Sequence, residues 1–262
     1  MGMFTSLGLK RPAPPRAAAQ GHFSIGGVTV INPMHGRRVG ATISIAHGAI
    51  SDITEGSSDA KSSETMVDFT GCFALPGLID MHVHLPPDNA LKLTAGAALS
   101  YLAHGVTTVR EAGDLDGTAI NAACALRDGG IHPVPRLFWC GPFVGAIKAS
   151  FKNTILLPDA SKQAAEAAAL KVKATGATFM KFYEGLNEPM LRALEQACAR
   201  HGLKIMGHVP AGLTYEHARI AEVQHFSACP SPRRSNATPS PTAPATGTRS
   251  TSGAWRRSSK RR

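Results

Sequence analysis

The sequence predicts an α/β fold: parallel βαβ units, in an open doubly wound sheet or a (β/α) barrel, behind a small N-terminal β unit. Three observations predict it. From about residue 73, apolar strand-like runs alternate with helical stretches. Several of those helices stop at a glycine (His104-Gly105, Thr175-Gly176, His201-Gly202), each followed by a strand. Upstream of residue 73 the runs are short, β-branched and separated by turn residues, with no helical period.

Taken in order, residues 1–21 are a Pro/Ala/Arg-rich leader, expected to be disordered. Residues 22–74 form the β unit, expected to be antiparallel, from Val28-Thr29-Val30-Ile31, Ala41-Thr42-Ile43-Ser44-Ile45 and Ala49-Ile50-Ser51-Asp52-Ile53. Between the last two, Ala46-His47-Gly48 reads as a hairpin turn. Strand runs then follow at 73–84, 106–110, 134–140, 178–183, 203–208 and 222–226, with helical stretches at 91–104, 118–127, 161–175, 189–201 and 213–220. After Phe226 the periodicity stops. Residues 227–262 are rich in Ser, Pro, Thr, Ala and Arg, and a disordered basic tail is expected.

With 262 residues, 43% hydrophobic and 18% charged, the chain suits one large domain or one and a half ordinary ones. No apolar run approaches the ~18–20 residues of a membrane span, and the first twenty residues lack a secretory apolar core. Cys72, Cys124, Cys140, Cys198 and Cys229 are scattered without a C-x-x-C pair, which argues against a disulfide framework and for the cytoplasm. The net charge of +10 points to nucleic acid until it is located. The last 37 residues carry eight basic side chains and no acid, whereas residues 1–225 carry twenty basic against eighteen acidic. The body is close to neutral, so nucleic acid is not an expected partner of it.

The sharpest chemical signal is Asp80-Met81-His82-Val83-His84 at the end of an apolar strand. Side chains alternate faces along a strand, so His82 and His84 share one face and can chelate one ion. Lys181, His208 and His225 end the later strands. Lys181 to His208 spans 27 residues, His208 to His225 spans 17, and His84 to Lys181 spans 97, about three βα units. In a barrel all of these would gather at the C-terminal strand ends, where reactive groups sit. Neutral imidazoles favour zinc and its neighbours. An ammonium among metal ligands makes sense if the amine is deprotonated and takes up carbon dioxide as an anionic carbamate. Tyr183 and Glu184 follow Lys181, and Asp114 closes the second strand; these three are candidate pocket residues. His104 and His201 precede helix-ending glycines, where a cation meets the helix dipole favourably. His47 is a turn residue, and His22, His35, His132 and His217 are surface candidates.

Leu75-Pro76-Gly77-Leu78-Ile79-Asp80-Met81-His82-Val83-His84, Gly105-Val106-Thr107-Thr108-Val109-Arg110, Met180-Lys181 and Gly207-His208-Val209-Pro210 occur in this order. Together they resemble the metal-dependent amidohydrolase superfamily, in its imidazolonepropionase-like branch with the Xaa-Arg dipeptidases. The resemblance covers residues 22–226. It implies a (β/α)8 TIM-like barrel, here incomplete, over residues 75–226, with residues 22–74 as part of a β-sandwich. It also implies two divalent metal ions, zinc being favoured: His82 and His84 on the first, His208 and His225 on the second, and a CO2-derived carbamate on Lys181 between them. The implied reaction is hydrolysis of C–N bonds in small amide or peptide-like molecules.

The family also carries an aspartate at the end of the eighth barrel strand. No Asp or Glu follows Glu222 in this chain. The expectation is therefore an amidohydrolase truncated after its sixth strand and impaired in turnover. Two alternatives are a non-catalytic fragment with residual metal binding, and nucleic-acid interaction through the basic tail. Oligomeric state is not readable from the sequence.

Overall fold

The computed structural model describes residues 22–56, 65–88, 92–130, 133–148, 151–210, 213–218 and 220–225. The expected leader and basic tail, with His132 and Cys229, lie outside the described residues.

Strand β1 (Phe23–Asn32) pairs antiparallel with β2 (Gly36–Ala46), which pairs antiparallel with β3 (Ala49–Thr54). The β2–β3 turn has His47 at φ 53° and Gly48 at φ 76°. Two successive left-handed residues give the turn whose twist matches a hairpin. The unit is not purely antiparallel, however. β4 (Thr65–Asp68) and β5 (Phe73–Ala74) pair parallel to β1, on the edge that β2 leaves free. The expected strand at 73–84 is thus two strands in two sheets. Pro76 lacks the N–H a ladder needs, and Gly77 sits so close to the Thr107 side chain that a Cβ would collide with it.

The second sheet system starts at β6 (Leu78–Val83), followed by the parallel strands β7 (Val106–Glu111) and β8 (Arg136–Trp139). The chain then adds β9 (Phe143–Gly145) and β10 (Thr154–Leu156), two three-residue strands too short for any periodic signal. β11 (Phe179–Phe182) and β12 (Lys204–Gly207) pair in parallel. The Thr178 amide donates to the Trp139 carbonyl at 3.3 Å, joining this sheet to β8. Beyond β12, Gly207 and Val223 form a single parallel bridge, and among the described residues this bridge is the strand pairing found where the sixth strand, 222–226, was expected. The segment after β12 comes back within hydrogen-bonding reach of β6 and β7, through Gln224 to His82 and Glu222 to Arg110.

Helices α1 (Leu93–Ala103), α2 (Ala119–Asp128), α3 (Lys162–Ala174), α4 (Glu188–His201) and the short α5 (Tyr215–Ala218) cover the outer face. α3 starts where Ser161 Oγ accepts from the Ala164 amide, and α4 where Asn187 Oδ1 accepts from Met190. α4 stops at Gly202, which is left-handed at φ 65°. Both helices bury one stripe at helical spacing: Ala165, Ala168, Ala169 and Val172 on α3 (i, i+3, i+4, i+7), and Leu191, Leu194, Ala197 and Cys198 on α4 (i, i+3, i+6, i+7). These stripes pack on Met180 and Phe182 in one core. Val83, Val109, Leu137 and Ile120 form a second, and Trp139 packs against both.

Candidate metal centre

The β6–β7 ladder runs Ile79↔Thr108 and Asp80↔Val109, then resumes at Val83↔Glu111. Three steps on β6 face two on β7, so one residue is bulged at 81–82. The frayed backbone is repaired by side chains. Asp80 Oδ1 accepts from the His82 amide at 3.1 Å, and Arg110 Nε donates to the Met81 carbonyl at 2.9 Å. Val83 is buried towards the helices, while the His82 and His84 rings lie together with centroids 5.2 Å apart.

Each ring is held through Nδ1. His84 Nδ1 lies 3.0 Å from the Gly113 carbonyl and 3.2 Å from Glu111 Oε1. Both are acceptors, so Nδ1 carries the proton. His82 Nδ1 lies 2.5 Å from Gln224 Oε1, and burial holds this imidazole below its ordinary pKa. A neutral ring that donates through Nδ1 leaves a lone pair on Nε2. His82 Nε2 is buried without a hydrogen-bond partner among the described residues. Glu111 is fully buried and also accepts from the Leu85 and Gly113 amides; burial raises its pKa.

On β11, Met180 and Phe182 enter the helix-facing core and Lys181 takes the other face. Lys181 is 1% exposed, and its Nζ has no hydrogen-bond partner among the described residues. Burial pushes the amine down to about 8. Its charge acts on all four site histidines, His82, His84, His208 and His225. His208 follows Gly207, whose missing side chain leaves room for the Phe182 carbonyl. Burial drives His208 down to about 4. His225 adopts φ 60° and places its ring 4.5 Å from that of His82 and 5.3 Å from that of His208.

The five expected ligands therefore come together, the rings forming a row His84–His82–His225–His208. Among the described residues no three His, Cys, Asp or Glu side chains close on one point as a ready-made metal shell. The donors nonetheless suit a divalent ion: two imidazoles with Nδ1 engaged, of which His82 is held neutral by burial while the Glu111 carboxylate raises the pKa of His84, and two buried nitrogens without partners among the described residues.

The candidate pocket residues part ways. The Tyr183 ring lies 5.0 Å from that of His208 and 5.0 Å from that of Phe143, which stacks on Phe151. Glu184 is exposed at the rim. Asp114 is committed to backbone: Oδ1 accepts from Gly117 and Oδ2 from Ile120, which ties it to the start of α2. His104 Nδ1 bonds the Ser100 carbonyl at the end of α1, and His201 ion-pairs with Glu166. Sequence reasoning missed Glu111, Gln224 and Arg110 as supports of the site. An acid closing the second strand was a visible signal for Glu111; nothing local marks Gln224.

The amidohydrolase family model matches residues 73–235. Among solved structures, a candidate prolidase from Bifidobacterium longum is similar at a TM-score of 0.62 and 22% identity, over 72% of this chain and 49% of that one. A Xaa-Pro dipeptidase with bound methionine in its active site is similar at 0.64 and 20%, over 79% and 62%. These likenesses show a common fold. A dihydroorotase from Bacillus licheniformis is 41% identical over 76 residues, 28% of this chain and 17% of that protein. The chain thus spans about half to three-fifths of the two solved relatives. The matched stretch carries the HxH strand, Lys181, His208 and His225 alike, and the chain belongs to the amidohydrolase family.

Proposed function

We propose that the protein is a metal-dependent hydrolase of C–N bonds in small amide or peptide-like molecules. In this reading His82 and His84 hold one divalent ion and His208 and His225 a second, zinc being favoured, with Lys181 between them as a carbamate. The observation that carries it is the pair of buried nitrogens without a hydrogen-bond partner among the described residues, His82 Nε2 and Lys181 Nζ, beside a row of four imidazoles. A buried polar atom without a partner is costly unless a ligand satisfies it.

When bound, such ions polarise a carbonyl and make water acidic near neutral pH. The chain's own groups prepare for this. Gln224, Glu111 and Gly113 accept from Nδ1 of the two β6 histidines, directing the Nε2 lone pairs inward. Lys181, with a pKa of about 8, has a neutral fraction at physiological pH. Its nitrogen lone pair can add to the carbon of CO2 with loss of one proton, giving an anion where an ammonium would repel a cation.

Proton transfer is the weak point. Glu111 accepts from three donors and Asp114 from two, so neither carboxylate is free to shuttle protons. General acid–base help contributes ~10²–10⁴-fold in rate. We therefore propose slow turnover by this chain alone, which also favours a second reading, a metal-binding protein without catalysis. The test is to measure bound metal and to assay dipeptides and N-acyl amino acids with Zn²⁺ and bicarbonate. Metal content should fall in the His82→Ala/His84→Ala double variant, and any turnover should lose its bicarbonate dependence in Lys181→Ala. Equal metal content in the wild type and the double variant would remove the ligand assignment. Fast turnover abolished by Lys181→Ala would overturn the slow-turnover reading.

A further inference from the structure

We propose that Arg110 is a positioning residue that sets the His82 and His225 rings against each other, by joining the bulged strand β6 to the segment 222–225. The inference rests on the metal reading for its consequence, but its geometry stands apart from it.

Arg110 is 2% exposed in β7. A buried guanidinium must have its donors engaged. Its Nε donates to the Met81 carbonyl, which the bulge at 81–82 leaves out of the regular ladder. Its Nη1 donates to Glu222 Oε2 at 2.5 Å. The guanidinium carbon lies 4.8 Å from the Phe179 ring centroid, which fixes its plane. One planar fork thus grips the residue before His82 and a residue three before His225.

Those two grips add to a short set of ties among the described residues. The segment's backbone is joined to β12 by the two bonds of a single bridge at Val223, Gly207 to Glu222 and Gln224 to Gly207, and Val223 packs against the core. It is tied to β6 by the Gln224–His82 bond. His225 itself sits at φ 60°, a conformation a non-glycine residue keeps only when its surroundings impose it. Without Arg110, the ring pair loses the ionic tie that, among the described residues, joins β7 to the segment before His225.

The test uses Arg110→Met, which keeps the stem on Phe179 and removes both donors. Glu222 has a side chain 38% exposed, so the carboxylate left behind can reach water and the variant should fold. The first readout is the ring resonances of ¹⁵N-histidine-labelled, metal-free protein. Arg110→Met should shift those of His82 and His225 and leave those of His22 and His47, in the β unit, unchanged. The second readout is Co²⁺ titration followed by visible absorption. Affinity should fall about tenfold or more, the size usual for losing an outer-shell support, and Arg110→Lys should recover part of it. If Arg110→Met does not fold, Glu222→Ala keeps the Met81 and Phe179 contacts and should still shift the His225 ring. Unchanged His82 and His225 resonances in a folded variant would overturn the positioning role. A wild type that takes up no cobalt would overturn the metal reading instead, and the ring resonances would still decide the role of Arg110.

Discussion

A buried imidazole pays for its place by staying neutral, and His208 shows this most clearly, its pKa driven down to about 4. In the unfolded chain the same ring titrates near 6.5. Between those values the unfolded state holds the extra proton, so stability rises with pH across the window and is lost as pH falls from about 6.5 towards 4. The metal-free protein should therefore lose stability on acidification through this range, and His208→Asn should flatten that slope. Urea denaturation at several pH values reads it; an unchanged slope in His208→Asn would show that the ring is solvated. Glu111 is the complementary case, a buried carboxylate kept useful by three donors. Glu111→Ala strands the Leu85 and Gly113 amides, at ~1–3 kcal/mol for a buried group without a partner, and a midpoint within experimental error of wild type would refute that accounting.

At the scale of elements, close approach between strands and helices sets what each position tolerates. Gly207 ends β12 where a Cβ would meet the carbonyl oxygen and Cβ of Phe182. Gly207→Ala must push β12 off β11, separating His208 from Lys181, and overpacking of this kind costs about 1–3 kcal/mol. Wild-type stability in that variant would contradict the packing. On the outer layer, Glu166 of α3 bonds both His201 and Arg200 of α4, which hold its carboxyl below the usual range. A carboxylate depressed in the fold stabilises above its unfolded pKa of about 4.3, and the effect is lost as pH falls through the lower folded value. Glu166→Gln should accordingly lower the thermal midpoint at neutral pH, with the difference fading in acid. A gap that persists at low pH would assign the loss to packing instead of charge.

For the molecule as a whole, the proposed ligands come from β6, β11, the end of β12 and the segment at 225, so the two ions, together with the Lys181 carbamate, would tie together parts of the chain far apart in sequence. An open cavity of about 480 Å³ has walls that include Ile79, Met81, Phe138 and Phe179. Ile79 is 62% exposed there and Met81 49%. Strands with so much uncovered apolar face gain more from an added cross-link than a closed core would. An ion binding only the folded state stabilises by about 2.7 kcal/mol at a hundred times its dissociation constant. Zinc should raise the thermal midpoint and chelation should reverse it, and the His82→Ala/His84→Ala variant should respond far less. An identical zinc response in that variant would place the ion elsewhere.

The strand–helix order, the glycine stops and the HxH strand were legible in the sequence because each is a local pattern: a period of two or 3.6, or a C-cap. The places of Lys181 in β11 and of His208 directly after β12 were legible too, whereas the strand expected to end at His225 is a single bridge. What the tertiary structure alone decided is which side chains support them. Gln224 meets His82 across 142 positions, and Arg110 meets Glu222 across 112. No periodicity encodes such pairs, because they depend on how far the sheet curves. The same holds for β4 and β5, which run parallel to β1, and for β9 and β10, whose three residues each pair only because neighbouring backbone already offers its hydrogen bonds. Asp114 was read as a pocket group from its place at a strand end. Its carboxylate instead caps the way into α2, because unsatisfied amides at a helix start compete for the nearest acceptor.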